Sequence, residues 1–313
     1  MKLDPTIAAV IDIGSNTIKV IVAQTSATGL KVLFDQTAEC RISEGMYTEP
    51  PRFTSASMEA ATAAIQTLLE KAAHYHPAHT EIVATSAVRD AENRGDFAKL
   101  IGDATHIPLR ILSGKEEAMG IAQGIAQEPL VSADGPYSIS DLGGGSLEWI
   151  LQDGGKIAHL TSMQLGAVRI MNRFLQDPSS PISPDEKSAI LSHCRAVYSE
   201  HLPATPPSAD TSHWGTGGAF TISRLILATE NGVELRDQSQ VLHLRDIRRI
   251  EETLSKLPLS ERQTYPGLPA TRADILPVAL IIIQALAEHV QTETFHHSFC
   301  NLRMGRVATL LAQ

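Results

Sequence analysis

The stretch VIDIGSNTIKVIVA, residues 10–23, decides how this chain folds. Its apolar run holds a carboxylate at Asp12, breaks at Gly14, Ser15, Asn16 and Thr17, and then resumes. Two short β-branched runs around a polar turn predict a strand–turn–strand hairpin. Strands are expected over residues 7–13, 17–24 and 31–36, a three-strand meander whose last turn contains Gly29. A polar turn between two core strands serves no packing need. It does gather backbone N–H groups at one point, where glycine permits positive φ, an absent side chain lets an anion approach, and Thr17 adds a hydroxyl. The competing reading is an ordinary hairpin with Asp12 in an Asx-turn.

The pattern returns in SISDLGGGSLEWIL, residues 138–151. Asp12, Gly14, Asn16, Thr17 and Lys19 recur at identical spacing as Asp141, Gly143, Gly145, Ser146 and Glu148. Strands are expected over 137–140, 147–152 and 156–161, with Gly154 and Gly155 in the second turn. Two copies of one unit predict two domains whose polar turns grip a phosphate chain from both sides. The phosphate-binding set is then Gly14, Ser15, Asn16 and Thr17 with Gly143, Gly144, Gly145 and Ser146. The glycine cluster is not a dinucleotide fingerprint, because Leu147, Trp149 and Leu151 continue it as a strand and not a helix. Asp141 and Glu148 bracket the turn, and hairpin register brings them together. Carboxylates beside phosphates suit Mg²⁺; the alternative for Glu148 is a solvated strand face.

Three further stretches carry chemistry. In ILSGKEEAMGIAQGI, Ser113 and Glu116 form a capping box where strand 108–112 meets a helix. Glu117 has no capping role; it is either a base for water or one more acidic residue in a first turn. In ATSAVRDAENRGDF, the end of strand 81–86 is followed by Arg89, which either forks onto phosphate or pairs with Asp90 or Glu92. Asp90 is expected to cap a helix running to about residue 101. In HWGTGGAF, the turn Gly215, Thr216, Gly217 and Gly218 leads from a strand at 212–214 into a helix, whose N-terminus suits a phosphate or a nucleotide. Other helices are expected around 58–72, 167–175 and 184–200, and the chain looks mostly helical from 244 onward.

Composition narrows the classes. The chain has 313 residues, enough for two domains, and 43% are hydrophobic. A net charge of -9 argues against broad nucleic-acid binding. No apolar stretch spans a bilayer; the longest, 275–287, predicts a buried helix. With no signal-like N-terminus and three scattered cysteines, the expected location is the cytoplasm. His74, His76, His79, His296 and His297 lack zinc-like spacing and are expected at the surface.

These motifs, with MQLGAVRI, PGLPATRADILPVAL and NLRMGRVATLL, closely resemble the exopolyphosphatase / guanosine pentaphosphate phosphohydrolase family. The resemblance implies an α/β fold of two ribonuclease-H-like domains, of the actin, hexokinase and heat-shock chaperone ATPase superfamily, with the active site in an interdomain cleft. It implies domains over 1–127 and 128–298, with 299–313 returning to pack on the first. It further implies Mg²⁺-dependent release of a terminal phosphate from polyphosphate or guanosine pentaphosphate. On it Glu117 is the base, Asp141 and Glu148 hold metal and water with Asp12 assisting, Arg89 meets phosphate, and the chain is a homodimer of the short form. Departures are ECRISEGMYTEPP in place of a basic loop, and Ala219 where the family carries Thr. The rival readings are a small-molecule kinase and a non-enzymatic nucleotide sensor of the same superfamily.

Overall fold

Ala8, Ala9, Val10 and Ile11 are wholly buried in succession, as a strand covered on both faces requires. They belong to β1 (Ile7–Ile13), which pairs antiparallel with β2 (Thr17–Ser26) and parallel with β4 (His79–Ala84). The computed structural model describes residues 6–26, 29–43, 46, 49–132 and 135–313. Glu44, Gly45, Tyr47 and Thr48, in the stretch ECRISEGMYTEPP, lie outside the described residues, as does the start of the chain.

The chain divides into two compact units, Met1–Val131 with Cys300–Gln313, and Ser132–Phe299. The first holds a mixed sheet in the order β3-β2-β1-β4-β5, with β3 at Gly29–Glu39 and β5 at Leu109–Ile111. Its helices are α1 (Ser55–Ala73), α2 (Ser86–Asp90), α3 (Arg94–Thr105) and α4 (Gly114–Ile125). Ala61, Ile65, Leu68 and Ala72 form the buried face of α1. In the second unit β6 (Tyr137–Leu142), β7 (Leu147–Asp153) and β8 (Lys156–Met163) repeat the meander. After α5 (Ala167–Phe174) and α6 (Pro184–His201), β9 (Ser212–Thr216) runs parallel to β6. Then come α7 (Gly218–Asn231), β10 (Val241–His243), α8 (Leu244–Ser255), α9 (Leu259–Arg262), α10 (Leu276–Val290) and β11 (Thr294–His297). The second sheet has the order β10-β11-β9-β6-β7-β8. The chain ends in α11 (Leu302–Leu311), which packs on α4 and β1 of the first unit. A meander followed by parallel strands, twice, is the ribonuclease-H-like arrangement of the actin-type fold. The apolar stretch at 275–287 is the buried body of α10, and no helix among the described residues is long and apolar enough to cross a membrane.

The structure corrects two local expectations. Asp90 closes α2 and does not open the next helix: Ala91 is extended, and α3 starts after Asn93. The reason is tertiary, since the Asn93 side chain bonds Phe53 N and O, both at 3.0 Å. His297 is not at the surface. It lies in the short strand β11, wholly buried, with Nε2 3.0 Å from Thr221 Oγ1 and Nδ1 3.3 Å from Arg224 Nη1.

Buried histidines make the second unit acid-sensitive. Burial, then the Arg224 charge, pushes His297 down to about 4. Burial, then His296, pushes His213 down to about 4 while its Nδ1 is 2.7 Å from Ser138 Oγ. In the unfolded chain both titrate near 6.5, so as pH falls the unfolded state takes up protons first. The stabilisation is complete above about pH 6.5 and is lost between there and about pH 4, at up to about 3 kcal/mol per group. Trp149 and Trp214, the only two tryptophans, both lie in this unit. The urea midpoint read by tryptophan fluorescence should therefore fall across that window. His297→Gln should flatten the fall, and an unchanged slope would discount this histidine.

Candidate active site

In the first unit, Asp12 faces Lys19 across the β1–β2 ladder, and Gly14 N donates to Thr17 O at 3.0 Å to close the turn. Two carbonyls of the turn are held by the segment after β3. Cys40 N donates to Asn16 O at 3.2 Å, and Ser43 reaches Ser15 O with N at 3.2 Å and Oγ at 2.9 Å. A trans peptide points its C=O and the following N–H in opposite directions. Fixing the carbonyls of Ser15 and Asn16 therefore aims the amides of Asn16 and Thr17 the other way, as one array. Asn16 Nδ2 and Asp12 Oδ1 are buried with no hydrogen-bond partner among the described residues. Native proteins rarely leave such groups orphaned without a functional reason. Burial raises the Asp12 carboxyl above its ordinary range, against the opposing charges of Lys19 and Arg303.

The same unit carries Glu117 in the first turn of α4, 6% exposed. The capping box forms as expected: Ser113 Oγ accepts from Glu116 N, and Glu116 accepts from Ser113 N at 2.9 Å. That bond, with Arg110 and the Ser113 hydroxyl, holds Glu116 down to about 2. Arg89 takes neither of the neighbours considered for it. Its Nη1 donates to Glu117 Oε2 at 3.0 Å and to Leu112 O at 2.8 Å. Glu92 pairs with Arg52, and Asp90 accepts from Ser86 Oγ at 3.3 Å.

The second unit repeats the turn with different charges. Asp141 faces Glu148 across β6–β7, and Gly143 N donates to Ser146 O at 3.0 Å. The segment after the third strand again holds the carbonyls. Ala167 N donates to Gly143 O at 3.0 Å, and Val168 N and Arg169 N reach Gly144 O at 2.9 and 3.1 Å. Arg169 Nε donates to Gly145 O at 2.8 Å. By the same peptide geometry the amides of Gly144, Gly145 and Ser146 point away from α5.

Positive φ is absent from both turns, contrary to expectation; a Cβ at Gly14 would stand 3.3 Å from Thr17 O, and one at Gly143 3.4 Å from Ser146 O. A Cβ at Gly166 would stand 2.2 Å from the carbonyl carbon of Gly145. Gly217, which opens α7, does need glycine: its φ is 94°, and a Cβ there would lie 2.8 Å from Asp141 Oδ1. The turn at Gly215, Thr216, Gly217 and Gly218 thus backs onto Asp141.

Glu148 is 2% exposed, so it is no solvated strand residue, and it accepts from Ser162 Oγ at 2.7 Å. Among the described residues no set of three or more His, Cys, Asp or Glu side chains forms a metal cage. Two adjacent carboxylates are nevertheless the donor set that Mg²⁺ uses when waters and substrate phosphates complete its shell.

Several supporting residues had no role in the sequence reading. Ser43 and Arg169 brace the turns, Ser162 holds Glu148, and Arg303 sends its charge toward Asp12. Only Ser162 was within reach of pattern reasoning, because meander register places it opposite Glu148.

Comparison with solved structures finds the same fold in an exopolyphosphatase from Cytophaga hutchinsonii, 23% identical, with a TM-score of 0.88 over 98% of both chains. The Ppx/GppA family member of Aquifex aeolicus is 19% identical, with a TM-score of 0.81 over 99% of both. The Ppx/GppA phosphatase family itself matches residues 20–313. With that match over nearly its whole length, the chain belongs to the Ppx/GppA phosphatase family and is a hydrolase of phosphoanhydride substrates.

Proposed function

We propose that the chain releases the terminal phosphate of inorganic polyphosphate or guanosine pentaphosphate in a Mg²⁺-dependent reaction. The observation that carries this reading is the repeated turn, whose carbonyls are tied back so that consecutive amides aim forward. Such an array, closed by Thr17 in one unit and Ser146 in the other, suits phosphate oxygens. Arg89 is a further phosphate contact through the part of its fork not engaged with Glu117.

Asp141 and Glu148 are the residues to hold Mg²⁺. When bound, the ion neutralises charge on the transferring group. Glu117 takes the proton of the attacking water at its carboxylate. Arg89 keeps that carboxylate aimed, the first turn of α4 favours its charge, and the amide arrays hold the phosphates in line. The expected setting is a cytoplasmic homodimer.

The decisive assay measures phosphate release from tripolyphosphate, long polyphosphate, guanosine pentaphosphate and ATP in parallel, with Mg²⁺ and with EDTA. Release from at least one of the first three, lost in EDTA, is expected. Release only when a second acceptor is supplied would point to a kinase, and ligand binding without any release to a sensor.

A further inference from the structure

MQLGAVRI belongs to the sequence resemblance, yet the mechanism above leaves its arginine without a task. The two turns differ in charge. Asp12 faces Lys19, a balanced pair, whereas Asp141 faces Glu148, two carboxylates at one turn. Phosphate approaching two carboxylates is repelled unless positive charge stands close by.

Arg169 supplies such a charge from the protein itself. Its Nε donates to Gly145 O at 2.8 Å, and its backbone N to Gly144 O at 3.1 Å. A cation on a carbonyl polarises the whole peptide group and strengthens the N–H on the far side. Here that N–H belongs to Ser146. The first amides of α5, from Ala167 and Val168, do the same for the peptides of Gly143 and Gly144, so the positive end of the helix points at the back of the turn. The first unit has a neutral brace at the equivalent place, the Cys40 amide on Asn16 O at 3.2 Å, and keeps its cation in the ladder at Lys19.

We infer that Arg169 is a positioning residue for phosphate: from behind the turn it aims and polarises the Ser146 amide and offsets Asp141 and Glu148. This rests on the reading of the turn as a phosphate site.

The test uses the full chain with Arg169→Gln and Arg169→Lys. Gln keeps a neutral donor for Gly145 O; Lys keeps a donor and the charge. Tripolyphosphate is the probe, with KM and kcat from phosphate release in Mg²⁺ and Kd from calorimetry. Arg169→Gln should raise KM and Kd about ten-fold with kcat little changed, as expected for loss of a charge-assisted contact. The dependence of KM on KCl should become shallower, and Lys should recover most of the affinity. Unchanged KM in the Gln variant overturns the inference. So does an equal loss in both variants that tracks a lowered Tm, which would leave Arg169 as a brace alone. If wild type neither binds nor cleaves tripolyphosphate, the phosphate reading of the turn fails first, before any variant is compared.

Discussion

A Glu117→Gln chain is expected to release phosphate from tripolyphosphate with kcat lowered by about 10²- to 10⁴-fold, the usual contribution of a positioned general base. The substitution is nearly isosteric. The carboxamide oxygen can still accept from Arg89 Nη1, now 3.0 Å from Glu117 Oε2, so the side chain should stay in place. Arg89 is itself anchored on Leu112 O at 2.8 Å, one residue before the N-cap Ser113. What disappears is the capacity to take a proton from water. KM should therefore stay within about three-fold of wild type, the pattern of an interaction made only in the transition state. Thermal unfolding of the variant separates this from collapse of the first turn of α4. A kcat near wild type, with an unchanged melt, would exclude Glu117 as the base and leave the capping box as the reason for acidity at this helix start.

How much of this was legible in the sequence depends on range. Both hairpins follow from period-two apolarity around a polar turn, and the charges opposing Asp12 and Asp141 follow from register alone. The capping box is an i to i+3 pattern, readable without any fold. Contacts between distant segments were not legible. Arg89 meets Glu117 from 28 residues away, and at the sequence level its acidic neighbours looked equally suitable. Ser43 and Arg169 reach back to their turns only once the third strand has returned alongside. Asn93 replaced Asp90 as the start of α3 because Phe53, 40 residues earlier, uses its amide. Strand β11 is too short for periodicity to declare it, so burial of His297 emerged only with the sheet. The turn glycines were expected to supply positive φ; the close approach instead demands glycine at 166, whose backbone lies against Gly144 and Gly145.

The largest effect on stability is expected where α11 crosses α4. Leu302 packs over Gly120, and backbone meets backbone at Gly124 and Gly305. A Cβ at Gly124 would lie 2.0 Å from Asn301 O, and one at Gly305 would lie 1.8 Å from Gly120 O. Neither neighbour is a side chain that can rotate aside. One at Gly120 would meet Leu302 Cδ1 at 2.6 Å, the far end of a flexible group. Gly124→Ala and Gly305→Ala should each destabilise the first unit by about 1–3 kcal/mol or more, and Gly120→Ala by less than about 1.5 kcal/mol. Gly102→Ala in α3 is the control: no atom lies within 4 Å of its added Cβ, so helix propensity should stabilise by about 0.5–1 kcal/mol. The seam matters beyond packing because α11 carries two buried arginines into this unit. Arg303 reaches Asp35 at 2.7 Å and Val20 O at 3.1 Å, and Arg306 grips both oxygens of Glu81 at 2.8 Å. Hydrogen exchange over α4 and α11, with far-UV melting, reads the outcome. Faster exchange in both helices should accompany Gly124→Ala, and phosphate release should fall with it, because Glu117 rides on α4. A Gly124→Ala chain that melts and exchanges as wild type does would mean the two helices can separate without consequence.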